Sequence, residues 1–514
     1  MTACILASAM AFIDATALNV VLPSLQESLQ AKGTDLFWIL NAYLLMLAAF
    51  VLPGGSLGDK LGRKKVYMIG IFVFMLGSLA CGFSTSVNML IAFRALQGLG
   101  GALMIPGSLS IISASFSDKE RGKAIGTWSA ITTMITIGGP IVGGALADNG
   151  LWTFIFFINI PIGIASLMIL WFKVQESRDE EANNAIDYPG ALTAVFGLAL
   201  ITFGFLQLPG TGFKDWRVVM SLVAGVMLLA AFVFIERNSN HPMMPLRLFT
   251  NETFKGANLL TFFLYAGLGA GILFLTLNMV QVQGYSQLQA GLTLLPFTIL
   301  MITVSRLSGT LTDRYGPRLL LICGPAVAGV GLLLLSFVKQ TTGFAEYWSS
   351  FFPGILVFGL GMSFTVAPLT TTVMGSVAKH FSGTASGVNN AISRIAGVFA
   401  NAIFGALAIL LFTLFLQKAI VDLPLSSEAR QAVMYQTVNL GDARVPKTID
   451  SVTHALIEKY YKNGFIAAYA IVMRICALLA FLGALMSMMF IKNEAVKVSD
   501  KETEAVTVDD TVVI

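Results

Sequence analysis

One carboxylate, that of Asp14, lies well inside an apolar run, whereas the other acidic residues fall in polar segments or at the ends of apolar runs. A charge at mid-membrane is costly and therefore needs a partner or a task. A desolvated carboxyl group favours its neutral form, which suits it to taking up and releasing protons near neutral pH. Asp14 is our candidate proton site. A structural ion pair that locks two helices is the alternative, and the two interpretations are compatible.

Arg94 is the expected partner of Asp14. A rise of 1.5 Å per helical residue places the two residues at depths that long side chains can bridge, and Asn41 falls at a similar depth. Arg94, Gln97 and Gly101 occupy positions i, i+3 and i+7, which lie on one helix face. This spacing predicts a polar stripe that lines a cavity.

A second polar stripe occurs near residue 394. Asn390, Arg394, Gly397 and Asn401 follow one another at i, i+4, i+7 and i+11. A helix face of this kind does not face lipid, so it points to water or protein. We therefore predict a substrate cavity to which both stripes contribute, with Asn41, Gln97, Asn390, Arg394, Asn401 and Arg306 as candidate lining residues.

Arg306 and Arg474 are two further cations within apolar runs. Arg306 lies near the end of its run, so it either lines the cavity or extends its side chain to the membrane surface. Arg474 is predicted to be buried, either beside the cavity or paired with a backbone carbonyl.

Composition identifies the kind of protein that holds these residues. The 514 residues are 56% hydrophobic and only 12% charged, with a mean hydropathy of +0.79, as in a polytopic membrane protein. The four cysteines are scattered and the three histidines form no cluster, so neither a disulfide framework nor a metal site is expected. No GxxxxGK[ST] loop is present, so the sequence does not predict an ATP-driven pump or another enzyme.

Apolar runs of about 20 residues match the length that crosses a bilayer. We predict an all-α polytopic membrane protein with fourteen spans: two six-helix bundles plus two extra central helices. The spans lie at about residues 2–23, 36–57, 66–86, 89–113, 123–147, 153–173, 188–208, 217–236, 254–280, 288–311, 318–338, 348–372, 384–416 and 464–491.

The predicted domain organisation follows from these spans. It comprises an N-terminal bundle at 1–175, the extra pair at 188–236, a C-terminal bundle at 254–491 with a long extracellular loop at 418–463, and a cytoplasmic tail at 492–514. In the long loop, Ser426, Ser427 and Glu428 predict a helix start, and a second helical stretch is expected near Thr453–Lys462.

A short loop motif occurs once in each half, always after the second span of that half. Its residues are Gly55, Asp59, Gly62 and Arg63, and three of these recur 254 residues later as Gly309, Asp313 and Gly316. A repeat at about half the chain length indicates two related halves. We expect both loops to latch the same side of the protein, with Asp59 and Asp313 at helix starts, where a carboxylate is favoured.

The basic residues orient the chain in the membrane. With the N-terminus inside, the inner loops and tail hold 18 of the 32 lysines and arginines, and the short outer loops hold 4. The excess of positive charge on the inside predicts that both termini are cytoplasmic.

Glycines and a proline mark the fifth span as a gating element. Gly139, Pro140, Gly143 and Gly144 combine close helix approach with one missing helix hydrogen bond. Such a helix can bend and let a neighbour slide against it, although a static tight interface is an alternative.

Together these motifs resemble those of the major facilitator superfamily, and the fourteen spans resemble its drug–proton antiporter branch. The resemblance implies a conformational latch at Asp59 and Arg63, proton coupling through Arg94, and an antiporter motif at Gly139–Gly144. Some relatives that export cationic drugs carry further carboxylates in spans 2, 10 and 13. The closest positions here are uncharged: Asn41, Met301, Asn389 and Asn390.

We therefore predict a proton-coupled multidrug efflux antiporter, multi-pass in the cell membrane, that exports amphipathic small molecules by alternating access. The alternative is an exporter of a specific anionic or zwitterionic metabolite, which the four arginines within spans would favour over one deep carboxylate. The expected partners are the substrate, protons and the lipid bilayer, without nucleic acid. A monomer with no cofactor is expected, since the proton gradient supplies the energy.

Overall fold

A computed structural model of the chain describes residues 1–116, 118–178, 187–239, 242, 244–377, 381–447, 449 and 451–492. Within its helices, the side chains at positions 56, 59, 113, 118–123, 125, 126, 129, 130, 133, 137, 210, 306, 313, 382, 383, 451 and 452 lie outside the described residues. The structure contains no strand in these ranges, so the predicted all-α class is confirmed.

The described residues of the first half form seven helices: α1 (Thr2–Ser28), α2 (Gly33–Leu61), α3 (Arg63–Gly82), α4 (Val87–Ser115), α5 (Asp118–Asp148), α6 (Phe154–Phe157) and α7 (Asn159–Lys173). The extra central pair is α8 (Tyr188–Thr211) and α9 (Trp216–Asn238).

The second half contains α10 (Glu252–Leu277), α11 (Gln287–Thr293), α12 (Leu295–Tyr315), α13 (Pro317–Leu335), α14 (Tyr347–Ser350), α15 (Phe352–Gly375), α16 (Ser382–Ala419), α17 (Ser427–Tyr435) and α18 (Ser451–Phe490). Short 3-10 segments lie at Leu246–Thr250, Phe344–Glu346 and Gln436–Asp442, and a π-helical turn at Asn278–Val282 extends α10.

Thirteen stretches among the described residues are helical, long and apolar enough to cross a membrane, and each coincides with a predicted span. The fifth predicted span corresponds to α5, whose described apolar part, Met134–Asp148, is shorter. The structure thus contains a helix at every predicted span.

The C-terminal part of the long loop differs from the prediction, whereas its first helix is confirmed. Ser426 caps α17 as expected and accepts a hydrogen bond from the Ala429 amide at 3.1 Å. The stretch predicted near Thr453–Lys462, however, is not a separate helix, because α18 begins at Ser451 and continues to Phe490. Ile457, Tyr461 and Phe465 are all buried at i, i+4 and i+8, so one packed face crosses the predicted boundary. The predicted tail lies, from residue 493, outside the described residues.

The internal repeat is visible in the helix packing. Gly100 of α4 abuts the backbone of Phe74 in α3, and Gly361 of α15 abuts the backbone of Ala328 in α13. Phe74 and Ala328 are separated by the same 254 residues as the two loop motifs. In each half, therefore, glycine lets the equivalent pair of helices approach closely.

The two halves meet along α2 and α16, which run antiparallel. Contacts pair Phe37 with Gly405, Leu44 with Gly397 and Leu52 with Gly387. The extra helix α8 packs against both α16 and α2, and α9 packs on α8. The extra pair therefore covers one of the lateral seams between the halves.

Hydrogen bonds between the halves gather at the end of the molecule opposite the Gly55–Arg63 loop. Asp148, at the end of α5, accepts from the Ser286 hydroxyl at 2.7 Å and from the Gln287 and Leu288 amides at 2.8 and 3.0 Å. At the same end, Gln26 of α1 donates to the Asn439 carbonyl at 3.1 Å and accepts from Gln281 at 2.8 Å. These bonds hold this end closed.

The opposite end of the molecule has free space beside two glycines. A side chain added at Gly309 or Gly375 would meet no atom within 4 Å. Along α16, Asn390 is exposed, Arg394 is half-buried and Asn401 is only 6% exposed. This gradient describes a cavity between the halves that opens at the end carrying the two loop motifs and narrows towards the closed end.

Candidate functional site

A fully buried polar cluster joins α1 and α4. The Arg94 guanidinium donates through Nη1 to Asp14 Oδ2 at 2.6 Å and to Gln97 Oε1 at 2.6 Å. The amide nitrogen of Gln97 donates to Asp14 Oδ1 at 2.9 Å. Asp14 and Gln97 are 0% exposed and Arg94 is 1% exposed. The structure thus brings Asp14 together with its expected partner Arg94 and with Gln97, which was predicted to share the helix face of Arg94.

Helix α2 supplies the rest of the Arg94 environment. Its Ile39 carbonyl accepts from Arg94 Nε at 3.4 Å, and the ring of Tyr43 lies 4.4 Å from the guanidinium carbon. Gly98 permits this arrangement, because any side chain there would collide with the Tyr43 carbonyl. Tyr43 was not among the predicted site residues. Its position two residues after the predicted Asn41 on α2 could have identified it from the sequence.

The cluster is arranged for an ionised Asp14, since both carboxylate oxygens accept hydrogen bonds. Burial of an ion pair is tolerated when the remaining hydrogen-bonding groups are satisfied, as Gln97 and the Ile39 carbonyl satisfy them here. A proton on Asp14 would weaken its link to Arg94 and leave the guanidinium without its counter-charge. The buried ion pair therefore joins α1 to α4 through charges that are removed from solvent.

Asn41 lies at the seam between the halves. It is 0% exposed, and neither atom of its amide has a hydrogen-bond partner in the structure. The register of α2 against α16 places Asn41 level with Asn401. Two buried amides at one level are suited to holding a polar group of a substrate, or water, between the halves.

The predicted α16 stripe lies at the seam with α2, where Gly397 contacts Leu44. Arg394 has no ion-pair partner among the described residues. Asn390 lies nearer the opening and donates only to the Ser386 carbonyl of its own helix, at 3.1 Å. The positive charge of Arg394 is therefore available to a ligand in the cavity. The side chain of Arg306 lies outside the described residues.

Arg474 does not lie where the sequence suggested. Its side chain is exposed on the surface of the protein, and its guanidinium carbon lies 5.5 Å from the ring of Phe337, near the end of α13. A long basic side chain can reach the membrane surface in this way, so the expectation of burial was wrong.

The glycine-rich segment of α5 serves two interfaces. Gly139 and Gly143 face α1, where added side chains would collide with Thr16 and come within 2.9 Å of Ala17. Gly144 faces the other half, where an added Cβ would lie 2.5 Å from the Gln287 carbonyl. The carbonyl of Pro140 abuts Gly291 of α11 in the same way. This segment is therefore tightly packed both within its own half and across the closed end.

The loop motifs end α2 and α12 with glycines of positive φ, Gly62 at +114° and Gly316 at +80°. Beside Gly62, the carboxylate of Glu176 accepts from the Lys64 and Lys65 amides at 2.9 and 3.1 Å. Glu176 thus caps the start of α3.

The sequence analysis missed Glu176, which lies more than 110 residues away along the chain. The Arg63 amide donates to the Ser177 carbonyl at 2.9 Å, so the segment after α7 holds this loop. Gly55 approaches Pro106 of its own half. Asp59 and Asp313 do not lie at helix starts, so that prediction was wrong: α2 continues to Leu61 and α12 to Tyr315, which places both residues in the last turn of a helix. Their side chains lie outside the described residues.

Among the described residues, no group of three or more His, Cys, Asp or Glu side chains could hold a metal ion. The fold and the cavity together define the class of protein: a polytopic membrane transporter whose two related halves enclose a polar cavity.

The chain belongs to the Major Facilitator Superfamily, whose sequence profile matches residues 4–401. The resemblance given by its motifs is thereby confirmed. Members of this family are in general transporters rather than enzymes.

Relatives of known type are resistance and export proteins. The chain is 34% identical to multidrug resistance protein Stp of Mycobacterium tuberculosis over 77% of this chain and 73% of that protein. It is 30% identical to the tetracenomycin C resistance and export protein of Streptomyces glaucescens, with the same coverage. It is also 30% identical to the methylenomycin A resistance protein of Bacillus subtilis, over 77% of this chain and 84% of that one.

Solved structures support the same fold. A bacterial homologue of the human lysosomal transporter Spinster, in an inward-facing and unoccupied conformation, matches with a TM-score of 0.64 at 18% identity, over 96% of this chain and 98% of that one. A D-xylose–proton symporter matches with a TM-score of 0.59 at 14% identity, over 96% and 97% of the two chains.

Proposed function

We propose that this protein is a proton-coupled antiporter that exports amphipathic small molecules across the cell membrane by alternating access. The proposal rests chiefly on one observation: a lone deep carboxylate, Asp14, is paired with Arg94 at 2.6 Å in a fully buried cluster. The three relatives named above, each a resistance or export protein, support a drug-like substrate. In this proposal both termini are cytoplasmic, so the open end of the cavity faces the cytoplasm.

The arrangement of the cluster suits one stage of such a cycle. In an antiporter, the inward-facing protein has released its proton to the cytoplasm and is ready to accept a substrate. An ionised Asp14 held by Arg94 and Gln97 is the form expected at that stage. After the switch to the outward-facing state, Asp14 would take a proton from outside and free Arg94, which would favour return of the halves.

The loop motifs are proposed to latch the cytoplasmic end when the outer end opens. Asp59 and Arg63 carry this role in the first half and Asp313 in the second. Asp59→Ala should then bias the protein towards the inward-facing state. If the reactivity of cavity cysteines towards a cytoplasmic thiol reagent does not rise in this variant, the latch role is wrong.

A second candidate is export of a specific anionic or zwitterionic metabolite. The observation that favours it is Arg394, a half-buried cation in the cavity without an ion-pair partner among the described residues. A cationic cavity attracts anions and disfavours divalent cations. Under either candidate, monocationic, neutral or zwitterionic compounds are expected to be preferred over dications.

Transport in everted membrane vesicles tests the proposal. Vesicles from an exporter-deficient host that produces this protein should accumulate fluorescent amphiphiles when the interior is acidified, and a protonophore should abolish the accumulation. A panel of cationic, neutral, zwitterionic and anionic compounds then separates the two candidates. Accumulation that persists without any proton gradient would contradict proton coupling, and accumulation of anions alone would favour the second candidate.

A further inference from the structure

An apolar groove of about 470 Å³ lies on the membrane-facing side of the extra helix pair. It is formed by side chains of α8, α9 and α16, all of them aliphatic or aromatic. Ile201 is 5% exposed and forms the floor, whereas Val226 and Ile403 are 60% and 37% exposed and form the rims. The groove is thus open to the bilayer along its length.

Close packing of α8 on α9 creates the groove. The side chain of Leu222 packs against Gly204 and that of Ile201 packs against Gly225, so the two helices approach closely. Helix α8 also packs against α16, so α8 lies between α9 and α16. The space between α9 and α16 therefore remains unfilled by protein and continues the seam between the halves.

The turn between α8 and α9, beyond one end of the groove, carries positive charge. The turn between α8 and α9 exposes Lys214 and Arg217, and Arg217 lies about 8 Å along α9 from Leu222. Phe213 and Trp216 are 65% and 70% exposed in the same turn. Aromatic residues with this exposure are typical of the membrane–water interface. The nearby Asp215 carboxylate caps α9 by accepting from the Arg217 amide at 2.9 Å.

We propose that this groove binds one acyl chain of an anionic phospholipid whose phosphate lies at Lys214 and Arg217. The groove lies between spanning helices, so the medium that fills it is hydrocarbon, and two cations against one carboxylate favour a negative headgroup. The lipid would fill the seam between the extra pair and α16. This site is separate from the Asp14 cluster and does not rest on the proposed transport activity.

Photolabelling of the full chain in proteoliposomes tests the site. The probes are phosphatidylglycerol and phosphatidylcholine, each with a diazirine in the middle of one acyl chain, and labelled residues are mapped by mass spectrometry. Phosphatidylglycerol should label the groove, at Val226 and Ile403, more than the exposed Met227 of α9. Lys214→Gln and Arg217→Gln should each reduce this labelling about fivefold.

Two variants separate the groove from the rest of the surface. Leu222→Trp fills the groove and should abolish groove labelling, whereas Met227→Trp, on the outer face of α9, should leave it unchanged. Leu229→Trp serves as a second filling variant if Leu222→Trp does not elute as a folded species. Equal labelling of Val226 and Met227, or equal labelling by the two lipids, would overturn the proposal. Displacement of the probe by a transported amphiphile would also overturn it, since the groove would then be a substrate pocket.

Discussion

Replacement of Asp14 by asparagine is the sharpest perturbation of the buried cluster. The carboxylate accepts from Arg94 through one oxygen and from Gln97 through the other. Asparagine keeps one acceptor oxygen and presents an NH2 group in place of the second. That group would face a donor, so one hydrogen bond is lost and the Arg94 guanidinium loses its counter-charge at 1% exposure.

The expected loss of stability is large because the Arg94 guanidinium stays charged and buried without a counter-charge. Removing one partner of a buried ion pair destabilises a protein by about 3–5 kcal/mol. Arginine stays protonated, whereas a carboxyl group left alone can take a proton. Arg94→Gln should therefore destabilise the protein less than Asp14→Asn. The double variant Asp14→Asn/Arg94→Gln removes both charges and should recover most of the loss, with a coupling energy of that order.

Thermal unfolding in detergent measures the stability of the four proteins, and pH-driven uptake into vesicles measures their transport. Asp14→Asn should show both a loss of stability and a loss of proton-driven transport. The double variant should regain stability without regaining transport, which separates folding from proton coupling. Equal stability of Asp14→Asn and the unmodified protein would refute the ion-pair argument. Proton-driven transport that survives in Asp14→Asn would refute the role of Asp14.

Four further predictions concern the helix contacts, the closed end, the cavity and the long loop. Gly139→Ala should destabilise the protein by about 1–3 kcal/mol, because the added methyl collides with Thr16. Gly138→Ala meets open space and should not lower stability in the same unfolding assay, since alanine favours a helix more than glycine does. Asp148→Ala removes three hydrogen bonds between the halves and should raise the labelling of cavity cysteines by an impermeant outer thiol reagent. Arg394→Gln should increase resistance to divalent cations; an unchanged resistance profile would contradict a cavity-facing charge. Burial raises the pKa of the Asp442 carboxyl group in the folded protein. The protonated form therefore contributes stability at low pH, and this contribution is lost as the pH rises through the raised pKa. Asp442→Asn should raise the unfolding temperature at pH 7 but not at pH 3.

The helices and their order could be predicted from the sequence because the bilayer imposes a length on each apolar run. The 254-residue repeat and the isolation of Asp14 were equally visible, since both are properties of the chain alone. The depth of Arg94 and its shared helix face with Gln97 also followed from helix geometry. Where one packed face continued past a polar stretch, as at the start of α18, the predicted boundary failed.

Other features depend on residues that are distant in the chain. Glu176 caps α3, and Asp148 caps α11 in the opposite half, and neither contact leaves a local pattern in the sequence. Tyr43 gained its place against Arg94 only because Gly98 lets α2 and α4 approach closely.

The sequence by itself determined the class of protein, the helices that are long and apolar enough to cross a membrane, and the isolation of Asp14 among them. Periodicity and hydropathy act within single helices, so the chain alone is sufficient for these. Only the tertiary structure decided which end is closed and which glycines of α5 contact α1 or the other half. It also decided that the side chain of Arg474 is exposed. Those outcomes depend on how whole helices pack against one another, and a packing partner is not encoded at any fixed distance along the chain.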